Sequence, residues 1–117
     1  MSRQGRNDEI PLFRYSFGSV EFDEARGELR VAGLAVELEP RPLQVLACLL
    51  HHADEVVTRQ ELFDEVWSGR PTVDNVLANA IAKLRKALGA NEAGRVVNVP
   101  RVGYRLLGQV TRIASGR

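Results

Sequence analysis

Hydrophobic positions along this chain recur first at a spacing of two, then at the spacing of a helix, then at two again. From Phe17 the pattern alternates: Val20 and Phe22 share a face, residues 23–27 read as a turn, Leu29 and Val31 follow, Gly33 turns the chain again, and Leu34, Val36 and Leu38 alternate after it. This predicts a three-stranded antiparallel meander with one apolar face. So small a sheet needs a cover. Pro40 and Pro42 fall in a first helical turn, where a missing N–H costs little. Leu43, Leu46, Ala47, Leu49 and Leu50 then predict a helix to about Ala53, apolar on most sides and hence deeply buried. A second helix starts at Thr58, which with Glu61 has the spacing of a capping box, while Val57 and Leu62 are placed for a hydrophobic staple. Leu62, Phe63, Val66 and Trp67 form its apolar stripe, and Ser68 to Pro71 end it in a short exposed loop.

Thr72 can cap a third helix that Gly89 closes, with Asp74 well placed at its positive end. Leu77, Ile81, Leu84 and Leu88 make the buried seam. The opposite face carries Asn75, Asn79, Ala82 and Lys86, with Lys83 beside them. After a loop from Ala90 to Arg95, strands over 96–99 and 104–107 flank a turn that holds Arg101. Residues 1–12 are polar and aperiodic and read as a disordered tail. Residues 13–108 form the folded domain, and 109–117 read as a tail or the start of a linker.

Length and composition narrow the function. A chain of 117 residues, 44% apolar and 26% charged, fits one globular domain. No apolar run approaches the roughly 20 residues of a membrane span, and the N-terminus shows no signal peptide. A single cysteine, Cys48, excludes an internal disulfide and a cysteine-based zinc site, and sits among leucines as inert packing. A reducing, cytoplasmic location is the simplest reading. His51 and His52 end the first helix with no further metal ligands clustered near them, and Glu61, Asp64 and Glu65 form a solvated face. No nucleotide loop or nucleophile motif is present, so neither an enzyme nor a cofactor is expected. The net charge of +1 hides a division: residues 8–65 hold five arginines against thirteen carboxylates, net −8, whereas residues 70–105 hold seven cations against two carboxylates, net +5. Such a dipolar molecule orients towards a polyanion. A solvated, cationic helix beside a basic hairpin suits the grooves of a nucleic acid.

The order of sheet, three helices and hairpin, with LRKALG followed by VVNVPRVGYRL, resembles the OmpR/PhoB-type DNA-binding domain of bacterial transcription regulators. LEPRPLQVLACLL, VVTRQELFDEVW and GYRL support the likeness, which covers about Phe17 to Leu107. The variant VDNVLANAIAKLRKALG with VPRVGYR is most similar to the CadC/ToxR-like branch, in which the domain leads a longer protein that can be membrane-bound. The resemblance implies an α+β winged helix-turn-helix: an N-terminal antiparallel sheet, three helices and a C-terminal hairpin wing. It further implies that the third helix enters the major groove of double-stranded DNA and the wing an adjacent minor groove. Asn can bond adenine, Lys can bond guanine, and an alanine methyl can meet thymine. On this reading Asn75, Asn79, Ala82 and Lys83 face bases, while Thr72, Arg70, Arg85, Lys86 and Arg105 contact phosphates. Arg85 has pairing with an acid such as Glu65 as its alternative. Arg101 would enter a narrow minor groove. The resemblance also implies that the loop of Ser68, Gly69 and Arg70 touches RNA polymerase, with Trp67 as its core anchor. A homodimer or tandem pair on repeated half-sites is expected from the small contact area of one module. The competing reading is a winged helix used to recruit a protein partner, with little DNA specificity.

Overall fold

Alternation and helical periodicity each build one layer. The computed structural model describes residues 12–70 and 75–114. In chain order it contains β1 (Phe13–Phe17), β2 (Val20–Asp23), β3 (Glu28–Val31), β4 (Leu34–Val36), α1 (Pro40–His51), β5 (Val57–Thr58), α2 (Arg59–Trp67), α3 (Val76–Leu88), a 3-10 turn (Ala93–Arg95), β6 (Val96–Val99), β7 (Gly103–Leu106) and β8 (Thr111–Ala114). This is an α+β winged helix-turn-helix. The tail expected at the N-terminus lies, up to residue 11, outside the described residues.

The meander is present as β2 to β4, but its sheet extends further. β1 precedes it, and β8 adds to the far side of β1, giving the antiparallel order β4-β3-β2-β1-β8. The expectation of a tail or linker over 109–117 is therefore corrected: the fold continues through Ala114. All four residues of β8 are exposed, so no alternation announces it. Backbone pairing to β1 holds it, together with the Arg112 guanidinium 4.4 Å above the Phe13 ring. On the inner face Tyr15, Phe17, Val20, Phe22 and Leu29 are buried. Leu34, expected on the same apolar face, is 71% exposed. It is the first residue of β4, the edge strand of the sheet.

α1 supplies the expected cover. Val45, Leu46, Cys48, Leu49 and Leu50 are all buried, and the helix packs on α2, α3 and β7. Burial, and then the nearby Glu65, push the Cys48 thiol up to about 12, so it stays a neutral packing group. The capping box at α2 forms as its spacing predicts: Glu61 N donates to Thr58 Oγ1 at 3.0 Å and Thr58 N to Glu61 Oε1 at 2.8 Å. Thr58 and Val57 do a second job that the sequence pattern does not announce. As β5 they pair with β7, so the hairpin becomes a three-stranded sheet of order β5-β7-β6. The wing is thereby tied to the start of α2, a tie that Arg59 N reinforces by donating to the Val102 carbonyl at 3.0 Å.

Candidate nucleic-acid interface

α3 owes its orientation to one hydrophobic seam and one guanidinium. Leu77, Ile81, Leu84 and Leu88 are each at most 1% exposed, which fixes the rotation of the helix and turns the opposite face to solvent. That face presents Asn79, Ala82 and Lys86, all exposed, with exposed Asn75 just ahead of the first turn. Ala78 is exposed on the same stripe and adds a methyl group that the sequence reading omits. Asn75 precedes the helix without a side-chain cap bond, and its amide has no partner among the described residues. Asn79, Lys86 and Arg101 have no side-chain partner among the described residues. Thr72 and Asp74, the expected cap and its acidic companion, lie outside the described residues.

Arg85 departs from both roles expected of it. It is half-buried, and its Nε and Nη2 donate to the Val96 carbonyl at 3.1 and 2.7 Å. Among the described residues it pairs with no carboxylate, and those two nitrogens are engaged by the Val96 carbonyl. It acts as a strut between α3 and β6, setting the angle between the helix and the wing. Arg105 is also engaged: Nε donates to the Asp54 carbonyl at 2.9 Å and Nη2 pairs with Asp54 Oδ1 at 3.2 Å. The free cation expected there is thus tied to the loop after α1. Lys83 is exposed, but its Nζ lies 2.8 Å from Glu39 Oε1, at the start of α1. Bonds of these kinds, to a backbone carbonyl or across a long stretch of chain, leave no periodic trace in a sequence.

The wing tip is a tight turn closed by Val102 N donating to the Val99 carbonyl at 3.0 Å. Pro100 takes its second position and Arg101 its third, where the backbone adopts φ +67°. Glycine or asparagine usually fills that position of a type II turn. A non-glycine residue there is strained by roughly 1–2 kcal/mol, and its side chain stands free in solvent.

The base of the wing has a brace that the sequence reading passed over. Glu92, 6% exposed, accepts from Ser19 N at 2.7 Å, from Ser19 Oγ at 2.6 Å and from Arg95 Nε at 2.6 Å. Arg95 in turn donates to the Leu107 carbonyl at 3.3 Å. These bonds knot the β1–β2 turn, the 3-10 turn and the end of β7. At the other end of the α2–α3 connection, Ser68, Gly69 and Arg70 are exposed, with Ser68 and Gly69 at φ +55° and +68°. Buried Trp67 packs against Phe63 with the rings tilted by 46°, and Arg41 reaches from α1 to the Val66 carbonyl at 3.0 Å, so the loop springs from a fixed base.

Comparison with known proteins places this geometry. The sequence model of a family described as "Transcriptional regulatory protein, C terminal" matches residues 33–106. The transcriptional activator CadC of Escherichia coli K12 is 35% identical over 78 residues, covering 64% of this chain and 15% of that protein. The chain spans less than half the length of the curated relatives it matches. Among solved structures, the DNA-binding domain of E. coli CadC superposes with a TM-score of 0.72 at 28% identity, covering 88% of this chain and 97% of that one. The Klebsiella pneumoniae RstA DNA-binding domain, solved in complex with its RstA box, gives 0.69 at 29% identity, covering 80% and 95%.

Proposed function

The chain belongs to the OmpR/PhoB-type family of winged-helix transcriptional regulatory domains, and from that premise we propose that it binds double-stranded DNA sequence-specifically, α3 in the major groove and the wing tip at the minor groove. The observation that carries the reading is the exposed stripe of Asn75, just ahead of α3, and Asn79, Ala82 and Lys86 on it, uncommitted among the described residues and held at a fixed angle to the wing by the Arg85 strut. The asparagines can pair with adenine and the alanine methyls can meet thymine. Lys86 and Arg70, both free of ion pairs among the described residues, serve as phosphate contacts. Thr72 is kept as a phosphate contact on family grounds. Lys83 reaches a base edge only by leaving Glu39. Arg101 enters the minor groove, whose narrow A·T stretches attract a guanidinium. The exposed loop of Ser68, Gly69 and Arg70 is the surface offered to RNA polymerase, and two copies occupy repeated half-sites.

The strain at the wing tip supplies a test that separates binding from folding. Arg101→Gly relieves the left-handed backbone, so thermal stability is expected to hold or to rise by up to about 1 kcal/mol. The same change is expected to weaken duplex binding about tenfold and to reduce the log–log salt slope by about 0.9, one counterion fewer. Fluorescence anisotropy across a salt series, beside a thermal melt, reads both. Unchanged affinity in a variant that melts no lower would remove the wing from the interface.

A further inference from the structure

Glu39 stands where α1 begins, yet it does not cap the helix. Its carbonyl accepts from Leu43 N at 3.1 Å, while its side chain makes no bond to the free N–H groups of the first turn, as a serine, threonine or aspartate there would. The carboxylate instead reaches Lys83 Nζ at 2.8 Å, 44 residues along the chain. Both side chains remain more than half exposed, at 65% and 54%. Pairs so exposed contribute little to a fold. The pair lies beside the α3 stripe assigned to DNA, and it places a negative charge there.

We propose that Glu39 is a built-in counterion that masks Lys83 in the free protein and lowers the domain's affinity for duplex DNA of any sequence. The inference rests on the DNA-binding reading above. Lys83 can engage DNA only by releasing Glu39, which then either recruits a cation from solution or takes a donor from the DNA. Cation uptake at Glu39 cancels the counterion that the Lys83 charge displaces from the duplex, so the pair as a whole adds almost nothing to the salt dependence. A free carboxylate at the groove edge can accept from cytosine N4 and repels phosphates. Indiscriminate backbone attraction is thereby traded for a local preference.

The test is a double-mutant cycle on the whole 117-residue chain: wild type, Glu39→Gln, Lys83→Ala and the double variant. Each is titrated with a labelled mixed-sequence duplex of about 30 base pairs, some three helical turns, across a salt series. Arg101→Ala is run alongside as the control for the interface itself, and circular dichroism melts confirm that every variant folds. Glu39→Gln is expected to bind three- to tenfold tighter, with a slope steeper by about 0.9. Lys83→Ala should barely move the slope in the wild-type background and lower it by about 0.9 in the Glu39→Gln background. The inference is overturned if Glu39→Gln leaves the slope unchanged and Lys83→Ala lowers it equally in both backgrounds while Arg101→Ala still weakens binding. If Arg101→Ala and all four members of the cycle bind alike, the DNA reading itself fails and takes the inference with it.

Discussion

Gly103→Ala is expected to cost the domain at least about 3 kcal/mol, the range of severe overpacking, and to lower its melting temperature by roughly 15 °C for a domain of this size. The reason lies in the close approach of two backbones. A β-carbon at Gly103 would stand 1.9 Å from the Val57 carbonyl oxygen and 2.8 Å from the Thr58 α-carbon. Neither is the end of a flexible side chain, so the strand must move bodily. Gly103 pairs with Thr58 on one side and Val99 on the other. Displacing β7 therefore opens both ladders of the wing sheet and pulls at Thr58, whose hydroxyl caps α2. The damage reaches the wing and the helix start together. A thermal melt of the variant decides the matter, and a midpoint within a few degrees of wild type would show that the sheet yields more easily than this geometry allows.

The second large effect belongs to Glu92. Glu92→Ala is expected to lose about 3 kcal/mol, because the Ser19 N–H, the Ser19 hydroxyl and the Arg95 guanidinium are left without their acceptor in a poorly hydrated site. The same bonds give a pH signature. Hydrogen bonds from Ser19, followed by Arg95, hold the Glu92 carboxyl down from the ordinary 4.5 to about 2. A carboxylate whose folded pKa is depressed contributes stability that is whole above its unfolded pKa and is lost as pH falls through the folded one. The wild-type chain should thus lose this contribution between about pH 4.5 and pH 2. Glu92→Gln, which cannot ionise, should be less stable at neutral pH and fall less steeply over that window. Urea unfolding at a series of pH values measures both, and parallel curves for the two proteins would deny Glu92 its role.

What the sequence made legible depended on the range of the interaction responsible. The capping box of Thr58 and Glu61 is local and could be read outright, as could the seam of Leu77, Ile81, Leu84 and Leu88, which needs only helical periodicity. The meander of β2 to β4 was equally plain. β1 carries alternation in Tyr15 and Phe17 but begins at Phe13, ahead of the Phe17 from which the sequence pattern alternates. β8 has no buried residue and exists through its pairing with a strand nearly a hundred positions earlier in sequence. At the interface, the solvent-facing stripe of α3 follows from the seam by elimination. The partners of Arg85, Arg105 and Lys83 do not, because a cation's choice between a backbone carbonyl, a distant carboxylate and solvent is made by tertiary structure. The notable consequence is that three of the cations expected to meet DNA are engaged within the protein. Lys86 and Arg101 stay free among the described residues, as does Arg70 at the loop.

The central claim, that the outward stripe of α3 reads DNA while its cations anchor it, is tested most directly by selecting duplexes from a random pool and titrating the enriched site with wild type, Asn79→Ala and Lys86→Ala. Lys86→Ala is expected to weaken enriched and random duplexes alike, with a salt slope lower by about 0.9. Asn79→Ala is expected to cost about 1–3 kcal/mol on the enriched site, to relax the preference at one base pair and to leave random duplex nearly untouched. A pool that enriches no site, with both folded variants binding as the wild type does, would contradict the claim.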